Sequence, residues 1–157
     1  MGRIFEDVKV QFDMLSCLLS GMRDSDYYSK GKHIDSIGAH VRHMIEYVQV
    51  LVNADLKLPV NYGDRKRETK IESDKQYAID VLVKLQNQLE KPDQKVSIKE
   101  NGEIFTSSYL REILYMHEHI VHHCAILKIE LNSLDYLQVD PCFGFAHSTL
   151  KHMEIKT

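Results

Sequence analysis

Apolar residues recur at three- and four-residue steps in four stretches of the chain, and each such stretch predicts an amphipathic helix. The first runs from Ile4 to about Leu19, with Ile4, Val8, Phe12, Leu15 and Leu19 on one face and Gly21 at its end. A polar, turn-rich linker, "RDSDYYSKGKH", follows. Ser36 offers an N-cap to a second helix striped by Ile37, Val41, Met44, Val48, Leu51 and Val52, with Pro59 beyond its end. A loop through "PVNYGDRKRET" precedes Ser73, the expected cap of a third helix carrying Ala78, Val81, Leu82, Leu85 and Leu89 and stopping before Pro92. The fourth and longest helix is capped by Thr106, Ser107 or Ser108, has Glu112 near its positive N-terminal end, and runs to about Asn132.

Between the third and fourth helices the pattern changes period. "KVSIKENGEIFTSS" alternates apolar and polar positions around Asn101 and Gly102, which predicts a small two-residue-turn hairpin or an extended excursion. The tail from 139 to 157 is punctuated by Gly and Pro and is read as irregular, with one short helix after Ser148. Four amphipathic helices joined by loops are the pattern of an all-α four-helix bundle. Residues 1–157 fit one domain on size, with no repeat and no low-complexity tract.

Composition narrows the choice of partner. With 43% hydrophobic and 27% charged residues, the chain has enough apolar side chains to close a core. A net charge of -3, with no basic run beyond "DRKRETK", argues against a nucleic-acid surface or a polybasic membrane anchor. That basic patch reads first as a solvated loop. No stretch of eighteen apolar residues and no secretory leader is evident, so neither a membrane span nor export is expected. Three cysteines, Cys17, Cys124 and Cys142, are an odd number without a C-x-x-C pair and suit reduced thiols in a cytoplasm. Cys124 falls on the apolar stripe of the fourth helix and reads as a core thiol, not a nucleophile.

The distinctive chemistry is in "YMHEHIVHHCAIL", which holds His117, His119, His122 and His123. His117 lies on the apolar stripe with Leu110, Leu114 and Val121. His119 and His123 are about 40° apart and one turn apart, so both rings reach a single point, as when one helix gives a metal two ligands. His119 with His122 is also feasible from one helix, and spacing does not choose between the pairs. "HEHIV" fails the H-E-x-x-H protease motif because residue 121 is Val. The second helix offers a third ligand in His40 or His43, with Tyr47 beside them. Three neutral imidazoles from two helices make an open, catalytic type of site. No carboxylate is firmly placed as a base: Glu112 and Glu130 lie about two turns from the nearest of these histidines, and Glu46 sits on the second helix. Arg65 and Arg67 are candidates to receive an anionic group.

The order of helices together with "SIGAHVRHMIEY", "VNYGDRKRET", "HIVHHCAIL" and "FGFAHSTLKH" resembles the DinB-like superfamily of four-helix metal-binding proteins over nearly the whole chain. The most specific part is H-x-x-H-H, matched by His119, His122 and His123. The resemblance implies His119 and His123 as ligands, His122 as their neighbour, and His43, in "HMIE", as the third ligand. His40, Tyr47, His122, Arg65 and Arg67 are then pocket residues around the ion. It further implies a left-handed bundle with a long connection between the second and third helices, a divalent ion such as zinc or nickel, and a homodimer. The activity implied is metal-dependent transfer of a low-molecular-weight thiol to a small electrophile, with metal-dependent hydrolysis or a non-enzymatic, stress-related metal-binding bundle as alternatives. Apolar residues around more than one face of the fourth helix, Tyr115, Met116, Ile126 and Leu127, also point to a dimer. The chain departs from the family pattern at Cys124 and Ala125, where Arg-Gly is common, and at His147, where Pro is expected.

Overall fold

The computed structural model describes residues 3–32, 35–146, 149 and 152. Six α-helices and one two-stranded antiparallel sheet are present among them, with α1 at Arg3–Gly21, α2 at Asp24–Tyr28, α3 at Ile37–Val52, α4 at Thr69–Ser73, α5 at Lys75–Gln86 and α6 at Tyr109–Leu131. The strands are β1 (Lys95–Glu100) and β2 (Glu103–Ser108), and a 3-10 turn covers Tyr62–Asp64. The four helices expected from periodicity are α1, α3, α5 and α6. Of these, α1 packs on α5 and α6, and α3 packs on α5 and α6. The periodic residues fill the space between them: Val8, Phe12, Leu19, Val41, Met44, Val48, Leu51, Leu82, Ile113, Met116, Ile120 and Leu127 are fully buried. No described helix is long and apolar enough to cross a membrane.

Local chemistry explains most boundaries. Ser36 caps α3 as expected, its hydroxyl accepting from the Ala39 N–H at 3.0 Å. Ser108 is the residue that caps α6, accepting from the Arg111 N–H at 3.3 Å. The cap of α5 is Asp74 and not Ser73, which is the last residue of α4. Asp74 has extended backbone and a carboxylate that accepts from the Tyr77 N–H at 2.9 Å, whereas the Ser73 hydroxyl is spent on the Thr69 carbonyl one turn back. The excursion before α6 is the hairpin. Asn101 and Gly102 take φ of 51° and 83°, the left-handed pair that a two-residue hairpin turn needs. The register pairs Glu100 with Glu103 and Ile98 with Phe105. Val60 adds a parallel bridge to Ile98, which ties the long loop after α3 to the sheet.

Two expected loops contain helices. The linker after α1 holds α2, whose Tyr27 is fully buried and donates its hydroxyl to the Ile71 carbonyl of α4 at 2.6 Å. The loop after α3 holds the 3-10 turn and α4, anchored by the buried Ile71. Gly38 makes room for this layer: a Cβ there would stand 2.1 Å from the Glu72 carbonyl oxygen.

On α6, Cys124 is fully buried and His117 is 9% exposed, as their stripe predicts, but Leu114 is exposed. Met116 and Leu127 are covered by the chain's own core, so of the residues that suggested a dimer only Tyr115 and Ile126 keep any exposed surface. The described part of the tail, 139–146, has no helix or strand; it packs Phe143 into the core while Lys128 donates to the Pro141 and Phe143 carbonyls. His147 and most of the short helix expected after Ser148 lie outside the described residues.

Candidate metal centre

Helices α3 and α6 cross so that His43 on the first meets His119 and His123 on the second. One nitrogen from each of the three lies within 4.8 Å of the other two, and all three side chains are half-buried. The ring centroids are 4.6 Å apart for His119 and His123, 4.7 Å for His43 and His123, and 5.2 Å for His43 and His119. In a tetrahedral site with metal–nitrogen bonds of about 2.05 Å, ligand nitrogens sit about 3.3 Å apart. Small side-chain rotations close that difference, so the three residues fit a divalent ion. The ring nitrogen Nε2 of His119 is buried without a hydrogen-bond partner, a costly arrangement for a polar atom unless something else binds it.

Protonation supports the same fit. Burial, reinforced by the neighbouring imidazoles, lowers the pKa of His119 to about 4 and that of His123 to about 3. Burial also lowers His43, with Arg65 and Arg42 adding to the effect. These rings are therefore held neutral near pH 7, the form that ligates a metal.

The surrounding residues separate into those at the site and those away from it. His40 is beside the cluster but outside it, its Nδ1 lying 3.3 Å from Nδ1 of His123. That contact fixes the orientation of the His123 ring, as an outer partner of a ligating imidazole does. Tyr47 packs its ring 4.3 Å from His119 and 4.8 Å from His43. Arg65 stacks its guanidinium 4.2 Å over the Tyr47 ring and donates to the Tyr62 carbonyl at 2.9 Å, which places a cation at the edge of the site. His122 is exposed and touches only the flank of His123, at 5.3 Å between ring centroids. The structure thus groups His119 with His123, not with His122. Arg67 is not brought to the site: its side chain is 70% exposed and reaches Glu72 at 4.0 Å. A mouth of about 280 Å³ lined by Asp35, His40, Arg42, His43 and His123 opens the cluster to the outside.

The carboxylates considered as bases are already engaged. Glu46, 3% exposed, accepts from Arg42 at 3.0 and 3.1 Å and from the Glu68 N–H at 2.8 Å. Glu112 accepts from the Tyr62 hydroxyl at 2.7 Å and from the Ser107 hydroxyl. Glu130 is buried and accepts from the Lys32 N–H at 2.7 Å. Two residues that sequence reasoning passed over shape this region. Arg42 binds Glu46 and Glu72, and the i, i+4 spacing of Arg42 and Glu46 was a usable signal. Tyr62 stacks on Tyr47 at 5.6 Å and joins the loop to α6; nothing in its loop sequence marks it.

No family model matches this chain, and no solved structure matches it. FK506-binding protein 5 of Rhizopus delemar (strain RA 99-880 / ATCC MYA-4621 / FGSC 9543 / NRRL 43880) is a curated relative, 30% identical over 122 residues, which cover 68% of this chain and 30% of that protein. The chain therefore spans under a third of that relative's length, and the binding its name describes is that protein's own.

Proposed function

We propose that this chain is a DinB-like four-helix-bundle protein that holds one divalent ion, zinc or nickel, on His43, His119 and His123, and uses it to transfer a low-molecular-weight thiol to a small electrophile. The observation that carries the reading is the three-imidazole cluster within 4.8 Å with the buried, unpartnered Nε2 of His119. The bundle reading is supported by α1, α3, α5 and α6 each packing on two of the others, with the long connection between α3 and α5 that the family pattern implies. A divalent ion on three neutral ligands keeps its full charge and so favours a thiolate over a thiol, which makes sulfur a better nucleophile at neutral pH.

The chain's own residues favour transfer over hydrolysis. Glu46, Glu112 and Glu130 accept hydrogen bonds from other partners, and none of them is among the residues grouped with the three imidazoles, which leaves hydrolysis without a positioned base among them. Arg65, stacked over Tyr47 at the edge of the site, is a cation available to an anionic group, whereas Arg42 is already paired with Glu46 and Glu72. One contact favours a non-enzymatic reading instead: His40 is close enough to His123 to turn in as a fourth ligand and close the site. A cytoplasmic location and a homodimer belong to the same proposal, the dimer being tested by light scattering at micromolar concentration.

The deciding experiment incubates metal-loaded protein with a halogenated aromatic or an epoxide and a panel of low-molecular-weight thiols. Conjugation should exceed that of metal-free protein and of His119→Ala, and should depend on which thiol is supplied. Metal-dependent cleavage of an ester or amide without conjugation replaces transfer by hydrolysis. Absence of both, with a four-histidine site, makes the ion structural.

A further inference from the structure

The hairpin, the Tyr62 turn and the start of α6 line a second cavity, an open one of about 420 Å³, a volume within the range of small-molecule sites. Its apolar wall is formed by Tyr62, Ile98, Phe105 and Tyr115. Two side chains of opposite charge, Arg111 and Glu112, line it from consecutive positions of α6. Consecutive helical residues point about 100° apart, and no ion pair links these two side chains.

Each charge is incomplete by itself. Glu112 is 7% exposed and is met by two hydroxyls, those of Tyr62 and Ser107; no cationic side chain among the described residues forms an ion pair with it. A carboxylate has about four acceptor positions, so two remain for a stronger donor. The N-terminal end of a helix is a favourable place for an acidic side chain, and a buried carboxylate makes stronger hydrogen bonds to a charged donor than to neutral ones. Arg111 is exposed, and among the described residues its guanidinium has no carboxylate partner. Glu100 lines the same cavity from the hairpin and disfavours a ligand with a second negative group.

We propose that this cavity binds a free amino acid with an apolar or aromatic side chain. The ammonium group meets Glu112, the carboxylate meets Arg111, and the side chain lies against Tyr62, Phe105 and Tyr115. A ligand carrying both charges is the one that completes both residues, and rings around an ammonium add to its binding. The charged end of the site is displaced from the histidine cluster, Glu112 and His119 being seven residues apart, about 10 Å along α6, while Tyr115 lies between them with its ring 6.2 Å from that of His119. It stands on this geometry alone and does not depend on a bound metal.

The test is calorimetric titration of the full chain with phenylalanine and leucine, and with phenethylamine and 3-phenylpropionate, which each lack one of the two charges. One of the amino acids should bind at least tenfold more tightly than either single-charge analogue. Arg111→Ala and Glu112→Gln should each weaken it at least tenfold with metal content unchanged. Because Arg111 is exposed, its variant keeps the fold and decides the question even where Glu112→Gln loosens the hairpin. Binding of phenethylamine as tight as that of phenylalanine, no detectable amino-acid binding, or an Arg111→Ala variant with undiminished affinity overturns the proposal.

Discussion

Removing Arg42, which lines the mouth of the candidate metal centre, should unfasten α4 from α3. Its guanidinium bonds both oxygens of Glu46, at 3.0 and 3.1 Å, and reaches Glu72 of α4 at 2.8 Å, with side-chain exposures of 12% for Arg42, 3% for Glu46 and 30% for Glu72. Arg42→Met preserves the aliphatic packing and leaves Glu46 as a buried carboxylate without its cation. Breaking a buried pair from one side costs about 3–5 kcal/mol. The lower end applies here, because Glu46 keeps the Glu68 N–H and Glu72 can turn toward water. About 3 kcal/mol lowers the melting temperature of a domain this size by about 6–12 °C. The assay is thermal and urea unfolding of Arg42→Met, Glu46→Gln and the double variant. The double variant should regain at least half of the single variant's loss, since a neutral amide still accepts from Glu68 and no longer needs a cation. A loss under about 1 kcal/mol in Arg42→Met, or a double variant no more stable than the single, would refute the reasoning.

Gly38→Ala should cost more than an ordinary helix substitution, because its Cβ would meet the Glu72 carbonyl oxygen at 2.1 Å; a variant as stable as the parent in urea unfolding, despite the better helix propensity of Ala, would show that α4 does not sit against α3. Metal affinity should depend weakly on pH between 7 and 6. An ordinary imidazole with pKa about 6.5 loses affinity about threefold over that interval through proton competition, and three such ligands about thirtyfold. His119 and His123, depressed to about 4 and about 3, remain neutral throughout, and His43 is also lowered. A metal-indicator titration should therefore show at most about a threefold fall from pH 7 to pH 6, with the steep loss closer to pH 4; a thirtyfold fall contradicts the depressed values.

Helices α1, α3 and α6 were legible because each repeats its apolar face over four turns or more; helical spacing made both His119 with His123 and His119 with His122 feasible, and only the H-x-x-H-H resemblance preferred the first pair. Helices α2 and α4 were not, since five residues hold less than two turns and each has one buried anchor, Tyr27 or Ile71, which carries no period. What holds them is tertiary: the Tyr27 hydroxyl on the Ile71 carbonyl and the close approach at Gly38. The pattern around His40 and His43 left the third position open, because both flank the stripe and the rotation of α3 against α6 decides which turns inward. Arg65 and Arg67 lie in an irregular loop, where no periodicity could tell that one stacks over Tyr47 and the other faces solvent. The breadth of apolar residues on α6 has a source that the sequence pattern does not separate from a partner surface: Met116 and Leu127 fill this chain's own core.

Elemental analysis of the purified protein and of its single His→Ala variants tests the metal reading most directly. The parent should carry one divalent ion per chain. His43→Ala, His119→Ala and His123→Ala should each lose most of it while keeping their helicity by circular dichroism, and His40→Ala and His122→Ala should retain it. Undiminished metal in a His119→Ala/His123→Ala double variant, or loss of the ion from His40→Ala but not from His43→Ala, would contradict the assignment of His43, His119 and His123 as the ligands.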